Sequence, residues 1–445
     1  MGHLDDLRRH GTDAVSFQAL ESSFRWWRDP AVAASVAYVD TGRSWIAVGT
    51  PLAEPGDRAH VARQFARDAN AHHRRAVFIA VENLRPFDGF RRVALGLQSM
   101  LPRATWTETF HRNRKLREQL RRARAKGVTV RRVAPDELVP DAPLRTIVEQ
   151  LGERWLRSRP MEPMAFLVAV EPFHAPDEHI YLIAERHGRA VQFLSALPIY
   201  QRGGWLVEDV LRDPSAPNGT TELLLDRLMQ ELDPDTGWFT PGLTPLAGDI
   251  TWWLRLARFV STPLYDFDGL RRFRARLSPP RWDPVWMVWD RGWAPLVLLD
   301  VLRAFANGHL VRFAWRTLVR HPNGPPWAIA VPLVVWTALL IGLVAGGHTS
   351  VLGFSTLALT GWIVFDIVLA WQLFRASRQP RPVRLMLLAG AAAADAIASI
   401  QHLAAAGLGS GWLAPVLRTL ATAGPVIGTL ALGWAAYLAH GRRRR

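Results

Sequence analysis

Four long apolar stretches fill the last quarter of the chain, at roughly 327–346, 351–374, 385–406 and 412–438. Each reaches the ~20 residues that cross a ~30 Å hydrocarbon core. The glycines and prolines inside them are tolerated in membrane helices. Their connections differ in charge. Residues 346–350 and 407–411 hold no lysine or arginine, whereas Arg375, Arg378, Arg381 and Arg384 lie between the second and third stretches. The chain ends on Arg442, Arg443, Arg444 and Arg445. Positive residues stay on the cytoplasmic side. The expectation is therefore a bundle of four transmembrane helices over 327–440 and a basic cytoplasmic tail over 441–445, with residues 1–326 also cytoplasmic. Asp366, Asp395 and Arg418 fall in or near the spans, where bundle-stabilising pairs are favoured over a polar path for lipid headgroups. Met1–Asp6 has no apolar core, so no cleavable secretory signal is expected.

Charge points to anionic partners. The chain has 54 basic and 39 acidic residues, a formal net charge of +15. Nine arginines against two aspartates after residue 326 supply +7 of it. Another concentration lies at His111–Gly127, with eight lysines and arginines and the single acid Glu118. As a helix, this segment carries Lys115, Arg117, Arg121 and Arg124 on adjacent rows. It reads either as a clamp for RNA or lipid phosphates or as a solvated basic face. The chain contains no cysteine, which excludes disulfides, thiolate metal sites and cysteine nucleophiles.

Residues 12–290 read as mixed α/β. Trp45–Val48, Val77–Val81, Ile180–Ala184 and Val191–Leu194 have strand character, and helical patterns run over 58–72, 112–126, 143–157 and 221–232. No Rossmann or P-loop glycine signature occurs, nor G-x-S-x-G or H-E-x-x-H. The expected division is a first unit over 1–127 that includes the basic linking helix, and a second over 128–290. An interfacial segment over 291–326 follows; its alternative is a buried helix that completes the preceding domain.

The richest local pattern is a strand, loop and helix start. Trp205–Arg212 alternates, so Asp209 is expected on the face opposite Glu208 and Arg212. Pro217-Asn218-Gly219 then leads into a helix containing Glu222, whose first N–H groups suit an anionic or carbonyl oxygen. By itself this is more often a turn and a cap. His174-Ala175-Pro176-Asp177-Glu178-His179 has metal-ligand residues but reads as a hairpin tip, so no metal or other cofactor is expected.

These residues also carry a resemblance. Asp209-Val210-Leu211-Arg212, Ala216-Pro217-Asn218-Gly219 and Glu222 resemble a signature of the C-terminal domain of bacterial phosphatidylglycerol lysyltransferases. Gly242–Gly248, Leu264–Arg274 and Pro280-Arg281-Trp282 are similar to later segments of that family, and Lys115-Leu116-Arg117 to its basic helix. Thr50, Ala247 and Arg274 depart from it, and the membrane helices follow the catalytic domain, where family members usually carry them before it. The resemblance implies tandem GNAT-like acyltransferase domains in a bacterial inner-membrane enzyme linked to antimicrobial peptide resistance. Such an enzyme moves an aminoacyl group from aminoacyl-tRNA to a hydroxyl of an anionic phospholipid such as phosphatidylglycerol. On that reading Asp209 or Glu222 holds the amino group or accepts the proton, and Asn218 and Gly219 face the donor. Lys115, Arg117, Arg121, Arg124 and Arg212 hold phosphates. A homo-oligomer is a further candidate assembly. Two alternatives stand beside it: an acyl-CoA-dependent N- or O-acyltransferase, and a non-catalytic membrane-tethered binding protein. Gln201–Gly204 is a poor echo of a pyrophosphate loop.

Overall fold

The structure, a computed structural model, describes residues 2–159, 161–262, 265–320, 324–345, 356–378, 381–405 and 414–442. The chain divides into two compact units. One comprises 1–159, 163–259 and 266–313, the other 160–162, 260–265 and 314–445.

The first unit is mixed α/β, as the sequence predicts. Its strands are β1 (Arg25–Arg28), β2 (Ser35–Asp40), β3 (Ser44–Val48), β4 (Arg75–Val81), β5 (Arg91–Pro102), β6 (Val128–Val133), β7 (Ile180–Arg186), β8 (Arg189–Ile199), β9 (Gly204–Arg212), β10 (Trp238–Thr240), β11 (Leu243–Pro245) and β12 (Arg281–Trp289). They form one sheet in the order β1-β2-β3-β4-β12-β5-β10-β9-β8-β7-β6, with β11 added to β5. Its helices are α1 (His3–His10), α2 (Arg58–Ala71), α3 (Arg103–Arg112), α4 (Arg114–Ala125), α5 (Pro143–Ser158), α6 (Thr220–Glu231), α7 (Trp252–Ser261), α8 (Phe267–Arg276) and α9 (Ala294–Phe305). α7 ends in residues of the other unit.

One motif occurs twice. β3 and β4 pair in parallel across α2, and β9 and β10 pair in parallel across α6, while the other pairings are antiparallel. A parallel pair needs such a crossover, since a tight turn joins only antiparallel strands. β12 arrives from the end of the second half and inserts between β4 and β5 of the first.

The basic helix is shorter than its periodicity suggests. Asn113 interrupts the expected 112–126 run and caps α4, its side chain accepting the Leu116 N–H at 3.0 Å. Leu116, Leu120 and Ala123 recur at helical spacing and pack into one core with Leu224 and Leu228 of α6. Burying each leucine contributes about 1.5–3 kcal/mol, which offsets the self-repulsion of the arginine face.

α9 lies in the expected interfacial segment and has two unlike faces. Val297, Val301 and Ala304 pack into a core with Ile46, Val77, Met287 and Trp289. Asp300, buried between them, accepts hydrogen bonds from Ser44 Oγ at 2.8 Å and Arg75 Nη1 at 2.7 Å. Leu296, Leu299 and Leu302 remain exposed on the other face, beside Trp293.

In the second unit, α10 (Leu310–Arg320), which begins in the first unit, precedes α11 (Gly324–Ala345), α12 (Thr356–Arg378), α13 (Pro382–Ala405) and α14 (Ala414–Arg442). Four long helices thus occupy the four apolar stretches. Two segments, Leu359–Ser377 and Pro382–Gln401, are long and apolar enough to cross a membrane, and Ala328–Gly342 is a shorter apolar helix. That is weaker support for membrane crossing than the four expected spans. The two expected uncharged loops fall largely on 346–350 and 406–413, outside the described residues, as do Arg443–Arg445 and the side chain of Arg418. Asp395 accepts a hydrogen bond from Trp362 Nε1 at 2.6 Å.

Asp300→Ala should leave Arg75 without its partner and detach α9 from the sheet. The expected cost is about 2–4 kcal/mol, read as a lower unfolding midpoint of the purified chain.

Candidate functional site

β9 pairs with β10 over three residues only, Gly204–Leu206 against Trp238–Thr240. Beyond Leu206 the two strands part. On its other side β9 stays paired with β8, but the register shifts: Asp209 lies opposite Ser195, and Val207 opposite Ala196. Glu208 is therefore the extra residue of a β-bulge. The expected alternation fails there, and the Glu208 and Asp209 side chains are both buried.

Asp209 is 7% exposed. Its N–H donates to Ser195 Oγ at 3.2 Å, and its Oδ2 has no hydrogen-bond partner. Burial pushes its carboxyl well above the usual range, the Glu208 charge pushes the same way, and a bond from Ser195 opposes them. Glu21, 3% exposed, was not singled out from the sequence, and neither of its carboxylate oxygens is partnered. Burial, then Glu208, Glu171 and Asp209, push it up to about 9. The approach of Glu21 to Glu208 across the fold has no periodic signal in the sequence.

Glu222 lies elsewhere. It is 8% exposed in the first turn of α6 and lines a cleft of about 350 Å³ with Arg114, Lys115, Gln119, Arg122 and Arg276. The two candidate carboxylates thus sit in different surroundings, one among buried acids and one among cations. Gly219 makes the second arrangement possible. Its φ is +92°, and a Cβ there would lie 2.1 Å from the Gln119 carbonyl oxygen of α4. Only glycine lets α6 begin against that backbone.

Several expected phosphate ligands are engaged within the chain. Arg212 donates to the Ala216 carbonyl at 2.7 Å and braces the loop. Arg117 donates to the carbonyls of Phe110, at 3.0 Å, and His111. Arg121 and Arg122 bond Glu118 and hold its carboxyl down to about 2. Arg124 reaches Asp226 at 3.4 Å, which also accepts from Trp106 Nε1 at 3.0 Å. Lys115 and Asn218 are exposed. The structure also corrects the hairpin-tip reading of 174–179. Pro176–Glu178 is a single 3-10 turn, and His179 is 5% exposed and stacked on Tyr181.

Comparison with known proteins covers this unit. A family model described as "Phosphatidylglycerol lysyltransferase, C-terminal" matches residues 5–289. The phosphatidylglycerol lysyltransferase of Bacillus subtilis (strain 168) is 23% identical over 286 residues, 61% of this chain and 33% of that protein. The chain therefore spans about a third of the length of the curated relative it matches. The structure of L-PGS from Bacillus licheniformis superposes with a TM-score of 0.59 at 20% identity, covering 68% of this chain and 96% of that one. The C-terminal domain of a protein assigned as a lysylphosphatidylglycerol synthetase from Agrobacterium fabrum gives 0.58 at 22%, covering 69% and 99%. The shared fold is the mixed α/β one.

Two outcomes follow. Glu21 binds a proton in the folded chain that it releases on unfolding between pH 4.5 and about 9, so its contribution to stability falls as pH rises through that window. In metal-free buffer, Glu21→Gln should flatten the decline of the unfolding midpoint and raise it at pH 8. Gly219→Ala should cost about 2–4 kcal/mol, above the ~1 kcal/mol of left-handed strain alone, because it forces α6 from α4; a thermal melt reads this directly.

Proposed function

The chain belongs to the phosphatidylglycerol lysyltransferase C-terminal family, and from that premise we propose that it is a membrane-bound aminoacyltransferase. It moves an aminoacyl group from aminoacyl-tRNA to a hydroxyl of an anionic phospholipid such as phosphatidylglycerol. The observation that carries this reading is the buried, unpartnered Oδ2 of Asp209 at the bulge where β9 leaves β10.

The reaction exchanges one ester for another. The lipid hydroxyl oxygen attacks the aminoacyl carbonyl carbon, its proton passes to Asp209, and the tetrahedral intermediate expels the ribose oxygen of the tRNA. That oxygen takes the proton back. The donor is already activated, so the protein supplies positioning and proton transfer. Asp209 is the proton acceptor, and Glu222 positions the donor end in the cleft between α4 and α6. Lys115, Arg114 and Arg276 supply charge there for phosphates.

Part of the loop before α6 is closed to the pyrophosphate of coenzyme A. A pyrophosphate needs free N–H groups, yet Pro214 and Pro217 have none. The N–H groups of Ser215, Ala216 and Thr220 bond Asp213 or Pro217. Gln201-Arg202-Gly203-Gly204 enters β9 at the end opposite this loop.

Membrane attachment rests on Leu359–Ser377 and Pro382–Gln401. Exposed apolar residues along α12, α13 and α14, among them Trp371, Leu387, Trp434 and Tyr437, suit a lipid environment. Arg375, Arg381 and Arg384 border the connection between α12 and α13 and support a cytoplasmic side for it; in a multi-pass protein in which α11 and α14 cross as well, the first unit and the C-terminus share that side.

Membranes containing the full chain, supplied with labelled aminoacyl-tRNA, should transfer label to lipid in an RNase-sensitive reaction. Asp209→Asn should lower the rate by about 10²–10⁴-fold at unchanged protein level. Label transfer from acyl-CoA but not from aminoacyl-tRNA would reject the reading.

A further inference from the structure

The connection from α5 to β7 carries two histidines that the transfer reaction does not use. His174 and His179 flank the turn Pro176–Glu178, and their rings meet edge to face with centroids 5.1 Å apart. Each ring sets Nδ1 against a backbone carbonyl, His174 on Glu171 at 2.6 Å and His179 on Ala175 at 3.1 Å. A carbonyl can only accept. Each Nδ1 therefore carries a proton, and in the neutral ring each Nε2 presents a lone pair.

The two rings lie beside one carboxylate. His179 Nε2 is 3.4 Å from Glu208 Oε2, and one ligand atom from each of His174, His179 and Glu208 lies within 4.8 Å of the others. His174 Nε2 is buried and has no hydrogen-bond partner. Close by in the same buried region, Glu21 keeps both oxygens unpartnered and Asp209 keeps one. Three acceptor atoms facing one another out of water repel unless positive charge lies among them.

The geometry points to a binding site for a divalent transition-metal ion of the zinc class, held by His174 Nε2, His179 Nε2 and a Glu208 carboxylate oxygen. Two imidazoles and a carboxylate form a donor set for zinc, whereas magnesium and calcium prefer oxygen alone. Zinc–ligand distances of about 2.0–2.1 Å place tetrahedral ligand atoms ~3.3 Å apart. The His179–Glu208 separation already meets that spacing, and His174 closes on it by rotating its side chain. The bonds from Nδ1 to the backbone carbonyls are the outer contacts that orient metal-binding imidazoles. The ion would tie the 174–179 turn to the bulge of β9 and offset the negative charge of Glu208 beside Asp209. The site does not depend on which acyl donor the enzyme uses.

The test is zinc binding by the full chain in detergent, stripped with chelator and titrated with Zn²⁺ alone. Retained metal is counted by mass spectrometry after desalting, and Co²⁺ replaces zinc for a visible spectrum. One ion per chain is expected, with the intense visible bands of a low-coordinate cobalt site. His174→Gln and His179→Gln should each weaken binding by at least ~100-fold, with circular dichroism unchanged, while exposed His309→Gln leaves it intact. His174 is half-buried, so its variant keeps the test open if His179→Gln unfolds. Equal zinc binding in the wild type and the His174→Gln/His179→Gln double variant would overturn the proposal. So would a chain that binds no zinc and whose His179 is doubly protonated at neutral pH by NMR, since an imidazolium paired with Glu208 would then supply the charge.

Discussion

The short parallel pairing of β9 with β10 is the constraint on which the candidate site depends. It is pinned at its start by packing that only a glycine allows. A Cβ on Gly204 would lie 2.2 Å from the Trp238 ring, and Trp238 Nε1 donates to the Arg202 carbonyl at 2.9 Å. The Arg202 guanidinium covers the same ring at 4.9 Å. Three residues later Pro241, which has no N–H to continue the ladder, ends the pairing. Val207–Arg212 therefore has a strand neighbour on one side only, and the bulge at Glu208 falls in that stretch. A bulge re-aims side chains and raises local twist. Here it accompanies the burial of two successive carboxylates in the middle of a sheet, an arrangement that a regular, fully paired strand would disfavour.

Charge is used differently in the two candidate regions. Around β9 the protein buries acids with unsatisfied oxygens, which is costly unless a proton, an ammonium or a metal ion shares the space. Around α4 it does the reverse. Glu118 takes up Arg121 and Arg122, Asp226 takes up Arg124, and backbone carbonyls take up Arg117 and Arg212. What is left facing the cleft with Glu222 is a smaller cationic set than the composition suggests. A basic run is thus both a phosphate-seeking surface and a brace for its own fold, and only contacts can apportion the two.

The sequence made the strands, the main helices and the α/β class legible because buried strands and amphipathic helices have short-range periods. It also located the Asp209–Glu222 segment, where spaced motifs resemble a known family. It failed where a single residue breaks a period. Asn113 caps α4 and divides the expected helix, and the bulge at Glu208 defeats the alternation used to assign faces to β9. It was silent on Glu21, because the approach of residue 21 to β9 is set by the sheet and by no local pattern. A tip reading of His179 fails since Pro176 signals a turn without saying that the residues closing it, Glu178 and His179, are buried. Gly219 was assigned to the donor; its positive φ and its approach to Gln119 give it a steric task that a motif cannot reveal.

The account's central claim is that Asp209, buried at the parting of two strands, serves transfer of an aminoacyl group to a lipid. Mass spectrometry of total lipids from cells expressing the full chain tests it most directly. The account predicts an aminoacylated anionic phospholipid that is absent from cells with an empty vector and from cells making equal amounts of the Asp209→Asn protein. A lipid profile identical in all three, or the same product made by the Asp209→Asn protein, would contradict it.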